Sequence, residues 1–256
     1  MDARIIERLD EHILEAHRQL CQSVDGGIFE RSEDWVRVFT GSTVATFNFL
    51  LLLDERALND DVLSDTAAYF DEQGVPHVVA FDEHWLPQGS NFLHSRCYQP
   101  LPPLPAMGLS DLPRRLESHP DILIEKVDTA PAMKLYCSLV SELFGLPLTD
   151  TTHLFPVSQL QNDAIRHYLG YLEGVPVVAG TAVLAGEVVS VWNVATHDDA
   201  RRRGGATALM NHLLQDAWED GCEASLLYSS PMAFSMYQKL GYGLYTQRRS
   251  FLPPEW

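Results

Sequence analysis

Between Ala200 and Met210 the chain reads ARRRGGATALM: three consecutive arginines, two glycines, and the start of an apolar-periodic segment. These residue types suit an anion. Gly204 and Gly205 let a backbone approach a ligand closely and leave its amides unshielded. A helix N-terminus carries unpaired N–H groups and partial positive charge. Arg201, Arg202 and Arg203 add fixed charge and forked donors matched to phosphate oxygens. Together they would cradle a pyrophosphate without a Walker lysine. Neither G-x-G-x-x-G nor G-x-x-x-x-G-K-[ST] occurs, which disfavours Rossmann and P-loop readings. Taken alone, the turn is equally compatible with a solvated basic loop.

The flanking elements must hold that turn in place. Leu209, Met210, Leu213, Leu214, Ala217 and Trp218 fall on one stripe, predicting a helix from Gly205 to about Asp220 whose N-terminus meets a strand end. Upstream, HYLGYLEGVPVVAGTAVLAGEVVSVWNVAT reads as three antiparallel strands with turns at Glu173-Gly174 and Ala185-Gly186. Before them come the strand DILIEKV and the helix TAPAMKLYCSLVSELFG, capped by Thr129, with Pro131 in its first turn and Gly145 as stop. The strand ASLLYS, a helix PMAFSMYQKLG and the strand YGLYTQRRSFL complete a βαβββαβαβ order.

With these elements placed, VWNVATHDDARRRGGATALMNHLLQDAWEDGC resembles the core motif of the GNAT acyl-CoA N-acyltransferase superfamily, a strand, then [QR]-x-x-G-x-[GA], then a helix. Arg201, Gly204 and Ala206 fall on the three defining positions. SSPMAFSMYQKLGY is similar to the family's second signature, with Ala233, Tyr237, Lys239, Gly241 and Tyr242 matching and Ser230 where asparagine is usual. The resemblance covers about Asp121 to Phe251 and implies an acetyl-CoA-dependent N-acetyltransferase. Val194, Ala195 and Thr196 would hold the pantetheine arm as an added strand would. A backbone N–H near Val194 would stabilise the oxyanion. The turn from Arg201 to Ala206 would bind the pyrophosphate, with Ser230 at the asparagine position contributing to the same cofactor site. Tyr237 would protonate the departing thiolate. Read without the resemblance, Tyr237 is a buried helix tyrosine among Phe234, Met236 and Leu240. No base is named: Glu173, Glu187, His167, Tyr168 and Tyr171 all read more simply as structural. An acyl-CoA-binding or interaction module without turnover is the alternative.

The first half offers less chemistry. An amphipathic helix (Ala3 to Leu20), two strands around Thr40-Gly41-Ser42, the helix NDDVLSDTAAYFDEQG and the strand VPHVVAFD precede a proline-rich QPLPPLPAMGLSDLP, read as a linker or extended edge segment. The fold class is therefore α/β on a mixed sheet. Residues 1–115 resemble a degenerate GNAT-like domain, structural or substrate-shaping, and residues 116–256 form the GNAT-like acetyl-CoA-binding domain, with the boundary near Leu116.

Composition narrows the partners. With 18 basic against 35 acidic residues the net charge is −17, which repels nucleic acid and leans weakly toward cationic substrates. The longest apolar run, Phe47 to Leu53, is too short to cross a bilayer, and the acidic amphipathic start lacks the pattern of a signal peptide. A cytoplasmic protein acting on a small-molecule amine or a peptide is expected, its oligomeric state left open. Cys21, Cys97, Cys137 and Cys222 are scattered, which argues against zinc and a disulfide framework and for buried free thiols. His197-Asp198-Asp199 cannot converge on one metal ion, so no metal site is expected.

Overall fold

Alternating apolar segments and capped helices assemble into one mixed sheet. The computed structural model describes residues 3–113 and 119–254. In chain order the first part comprises α1 (Ala3–Gln22), β1 (Ile28–Arg31), β2 (Trp35–Phe39), β3 (Phe49–Leu52), α2 (Asp60–Gln73), β4 (Val78–Asp82), α3 (Gly89–His94), β5 (Gln99–Pro100) and β6 (Leu104–Leu109). The second part comprises β7 (Ile122–Lys126), α4 (Ala130–Phe144), α5 (Leu148–Leu154), β8 (Ile165–Leu172), β9 (Val175–Ala185), β10 (Val188–Thr196), α6 (Gly205–Glu219), β11 (Ala224–Tyr228), α7 (Phe234–Lys239) and β12 (Gly243–Leu252).

The strands run in the order β1-β2-β3-β4-β12-β6-β11-β10-β9-β8-β7, with β5 beside β12. Two pairs are parallel, β3 with β4 and β10 with β11, and each is joined by a helix, α2 or α6. The two halves therefore repeat one strand–helix–strand unit and exchange a strand at the centre. β12 pairs with β4 of the first half, and β6 pairs with β11 of the second. The second half's sheet is thus completed by β6 of the first.

That exchange corrects the reading of the proline-rich segment. Leu104–Leu109 is a central strand, bonded to β11 on one side and β12 on the other. Pro102, Pro103 and Pro105 hid it, but they lie before or at its start, where a missing N–H costs the ladder little. The boundary expected near Leu116 falls outside the described residues.

The capping signals hold. Thr129 Oγ1 accepts the Ala132 N–H at 3.3 Å, and Gly145 ends α4 at φ +64°. The second of the two strands expected around Thr40-Gly41-Ser42 starts only at Phe49. Asn48 is buried and spends its side chain on the Thr40 and Gly41 amides at 3.0 and 3.2 Å, holding residues 45–47 in a short 3-10 turn. The helices α3 and α5 were not expected. Three cysteines are buried, whereas Cys97 is exposed at a left-handed position after α3.

The core that carries the site lies between β10, β11, β6 and α6. Leu209, Met210, Leu213, Leu214 and Ala217 are all within about a percent of full burial, while Trp218 lies at the margin and is 37 % exposed. Each fully buried leucine contributes about 1.5–3 kcal/mol, which anchors α6 and its N-terminus.

Candidate active site

β10 and β11 stay paired only as far as Val191 and Leu227. β11 ends at Tyr228, while β10 runs on to Thr196 bonded to β9 alone, so the sheet opens into a V. Within that free stretch the register to β9 slips between Trp192↔Thr181 and Ala195↔Ala179. Asn193 and Val194 thus oppose the single residue Gly180, which is a β-bulge. Asn193 adopts φ +56°, which asparagine tolerates better than other side chains. Gly180 leaves room here: a Cβ on it would lie 2.6 Å from Leu209 Cδ2, so the Leu209 side chain would have to shift for α6 to seat against the bulge.

At the end of β10 the chain turns into α6. Gly204 is the N-cap at φ +85° and offers no side-chain cap. A Cβ at Gly204 would also come within 2.8 Å of the His119 ring. Ala208 N–H bonds to Gly204 O at 2.8 Å, but the amides of Gly205, Ala206 and Thr207 find no partner among the described residues. These are donors directed outward at the positive end of a helix dipole.

The three arginines separate. Arg201 ion-pairs with Asp198 at 2.6 Å and donates from Nε to Thr196 O at 3.3 Å, bracing the turn. Arg202 is exposed at φ +61° and lines the cavity described next. Arg203 leans away toward Glu173, 4.0 Å distant, and does not line it.

A cavity of about 510 Å³ follows the V. Its wall includes Val194, Ala195 and Thr196 from β10, and Arg201, Arg202, Gly204, Gly205 and Ala206 from the turn. Ser230 and Tyr237 close the opposite side. Tyr237 and every residue expected at the cofactor site except Arg203 meet there. Ser230 Oγ accepts the Ala233 N–H at 3.3 Å, so it caps the turn leading into α7. Thr207 and Lys239 also line the cavity, as do Leu143 and Phe144 from the end of α4. The last two were missed because their helix lies outside both motifs; their only trace in the sequence is an apolar pair at a helix stop.

Tyr237 is buried, with its ring edge-on to Tyr242 at 5.8 Å. Its hydroxyl has no hydrogen-bond partner among the described residues. Burial pushes its pKa up to about 12, so it is a phenol at neutral pH, a proton donor and not a base.

The carboxylates considered in the sequence lie elsewhere. Glu187 pairs with Arg8 at 2.9 Å, and Glu173 sits on an exposed turn. Tyr168 donates to Asp216 at 2.9 Å, and Tyr171 is half-buried on β8. His167 is buried between Thr181 and Gln159, and desolvation pushes its pKa down to about 3.

A strand-end V, a bulged edge and an uncapped helix N-terminus thus meet beside a buried tyrosine. Residues 169–245 match the model of the acetyltransferase (GNAT) domain. Among solved structures the chain is similar to a GCN5-related N-acetyltransferase from Kribbella flavida, at 18 % identity and a TM-score of 0.73 over 95 % of each chain. A GCN5-related N-acetyltransferase from Sphaerobacter thermophilus shares the fold at 12 % identity and a TM-score of 0.61, over 87 % of this chain and 81 % of that one. A tandem GNAT protein from the clavulanic acid biosynthesis pathway matches at 13 % identity and a TM-score of 0.58, over 86 % and 80 %. No curated protein matches the sequence. The domain match is confined to residues 169–245, and the chain as a whole shares the fold of these structures.

Proposed function

We propose that this protein transfers an acetyl group from acetyl-CoA to an amine, a small molecule or a peptide, in the cavity of its second half. One observation carries the reading. A single cavity of about 510 Å³ joins the amides at the α6 N-terminus to the Tyr237 phenol, all without a partner among the described residues, along a strand edge left free by the V.

The cofactor's pyrophosphate lies against the amides of Gly205 and Ala206 and the Arg202 guanidinium. Its pantetheine arm pairs with the edge from Val194 to Thr196. The thioester carbonyl meets the N–H of Val194, on the bulge, which stabilises the oxyanion. The amine nitrogen attacks the carbonyl carbon, the C–S bond breaks, and Tyr237 O–H gives its proton to the thiolate. The proton lost by nitrogen goes to water. A donor near 12 transferring to an aqueous thiol near 8.5 works uphill by roughly 5 kcal/mol. A thiolate leaving into the same desolvated cavity is raised in parallel. Arg201 braces the turn, and Arg203 belongs to its rim.

The first half acts as structural and substrate-shaping partner: β6 completes the second half's sheet, and its own helix α2 is capped. A non-catalytic acyl-CoA-binding role is the second reading, favoured by Ser230, whose hydroxyl is engaged in capping. The reaction is placed in the cytoplasm, in keeping with four free cysteines.

The test is calorimetric titration with acetyl-CoA, followed by thiol release with a panel of amines. Arg202→Glu is the matching variant, since it reverses cradle charge at an exposed position. An aspartate at Gly204 would strain φ and strike His119, so its effect would mix folding with binding. Micromolar binding weakened at least tenfold by Arg202→Glu, with thiol release for some amine, is the expected result. Binding without release for any amine would favour the non-catalytic reading, and no binding would end both.

A further inference from the structure

Leu143 and Phe144, the part of the cavity wall outside both sequence motifs, stand at the end of α4. The chain leaves α4 at Gly145 and enters α5 at Leu148, and both sides of this corner are hydrogen-bonded. Leu146 N–H donates to Ser141 O at 3.0 Å, and Ser141 Oγ donates back to Leu146 O at 2.7 Å. The N–H groups of Asp150 and Thr151 donate to Pro147 O at 3.0 and 3.1 Å. At the far end of α5, Cys137 Sγ of α4 donates to Phe155 O at 3.5 Å. Leu154 and Phe155 share a buried cluster with Met133, Tyr136 and Val140 of α4, and Leu143 packs against it. The two helices are thus one packed unit, and such units transmit a displacement of one part to the rest.

What fixes α5 comes from the first half. Asp150, buried in its first turn, accepts from Ser42 Oγ at 2.6 Å, Thr43 N–H at 2.7 Å and Thr43 Oγ1 at 2.8 Å. Three residues on, His153 Nε2 donates to Thr40 O at 2.6 Å. The loop that supplies these groups is itself held. Asn48 is fully buried, and its amide donates to Ser42 O at 2.8 Å and Pro76 O at 3.0 Å while its oxygen accepts from Thr40 and Gly41 N–H. A buried carboxylate keeps its charge only with such donors, so this contact cannot slip without leaving buried polar atoms unmet. We propose that Asp150 is a positioning residue of the acyl-CoA site: the first half grips it, and through the α4–α5 corner that grip keeps Phe144 on the cavity. The inference rests on the proposed cofactor site and adds a task for the first half in building it.

Phe144 is 45 % exposed, so truncating it tests the wall without opening the core. Acetyl-CoA is titrated by calorimetry into wild type, Asp150→Ala, Phe144→Ala and the double variant, with each melting temperature recorded. Phe144→Ala should weaken binding by roughly five- to tenfold, the loss of one packed aromatic contact. Asp150→Ala should weaken it by a similar factor. The double variant should bind no more weakly than Phe144→Ala alone, because both changes remove the same contact. Asp150→Asn, whose amide oxygen still accepts from Ser42 and Thr43, should return affinity to within about twofold of wild type. Ser42→Ala combined with Thr43→Val strips two donors from the first half alone. It should weaken binding as Asp150→Ala does, and it reports even where Asp150→Ala does not fold. Factors that multiply in the double variant would mean a general loosening and overturn the inference. So would a folded Asp150→Ala or Phe144→Ala that binds as wild type does. In both cases wild type still binds, and the cofactor site stands. A wild type that binds no acetyl-CoA would instead end the cofactor reading and this inference with it.

Discussion

The two halves use the same strand–helix–strand unit and finish its helix differently. In the first half, Asn59 caps α2 by accepting the Val62 N–H at 2.9 Å, and Asp60 and Asp61 occupy the first turn. The orphan donors and the dipole are thus met from within. In the second half Gly204 caps α6 with no side chain, the first turn carries no acid, and Arg202 stands beside it. β3 pairs with β4 along its whole length, from Phe49↔Val78 to Leu52↔Phe81, and leaves no free edge, whereas β10 outruns β11 and bulges. A shared fold therefore makes a site only where the backbone's own demands are left unmet. The first-half unit is closed by its own side chains.

Tyr237 gives the largest test of that contrast, because α3, the matching helix of the first half, has no tyrosine. Tyr237→Phe should lower turnover by about 10²-fold or more, as expected for loss of a general acid. Acetyl-CoA affinity should stay within about twofold. A variant with unchanged turnover would show that the two helices do not differ in chemistry. In the wild-type protein the group stays protonated below about pH 12. The rate should therefore rise with pH as the acceptor amine loses its proton, with no alkaline decline before about pH 10.

Acid should separate the halves next. His12, His17 and His77 in the first half, and His167 in the second, are buried, and desolvation lowers each pKa, to about 4 for His12 and His77. The unfolded chain binds protons near 6.5 and the folded one does not, so stability is complete above about pH 6.5 and falls as pH drops toward 4. At pH 5 each neutral histidine costs about 2 kcal/mol of stability, a large fraction of a typical total. Hydrogen exchange at pH 5 to 7 should show α1, β4 and α2 losing protection before α6. Uniform loss would mean the two halves share their acid response.

The smallest expected effect is at the first-half cap. Asn59→Ala should cost about 1 kcal/mol in denaturant unfolding and leave acetyl-CoA affinity unchanged. A change in affinity would place a ligand where α2 is closed.

What could be read in the sequence follows from how local each feature is. The cradle, the edge from Val194 to Thr196 and Tyr237 lie in contiguous motifs, so residue type and spacing exposed them. The exchange of β6 and β12 depends on pairing between distant segments, and prolines masked the first of these strands. Phe144 and Leu143 enter the cavity only because α4 packs across the V. The helix α5 has the weak sequence LTDTTHL; Asp150 within it is buried and accepts from Ser42 Oγ at 2.6 Å and the Thr43 amide at 2.7 Å, contacts invisible along the chain. Arg203 looked equivalent to Arg202 until backbone geometry turned Arg203 outward.

The most direct measurement transplants the first-half solution into the second. Ala206 is the second residue of α6 and lines the cavity, and Ala206→Asp would place an acid in that helix's first turn as Asp61 does in α2. Favourable interaction with the dipole should leave the unfolding free energy unchanged or higher by about 0.3–1 kcal/mol. Acetyl-CoA affinity measured by calorimetry should fall by roughly 100-fold or more, about 3 kcal/mol, as the new carboxylate faces the pyrophosphate. A stable variant that binds acetyl-CoA as tightly as wild type would contradict the claim that the open end of α6 is the cofactor site.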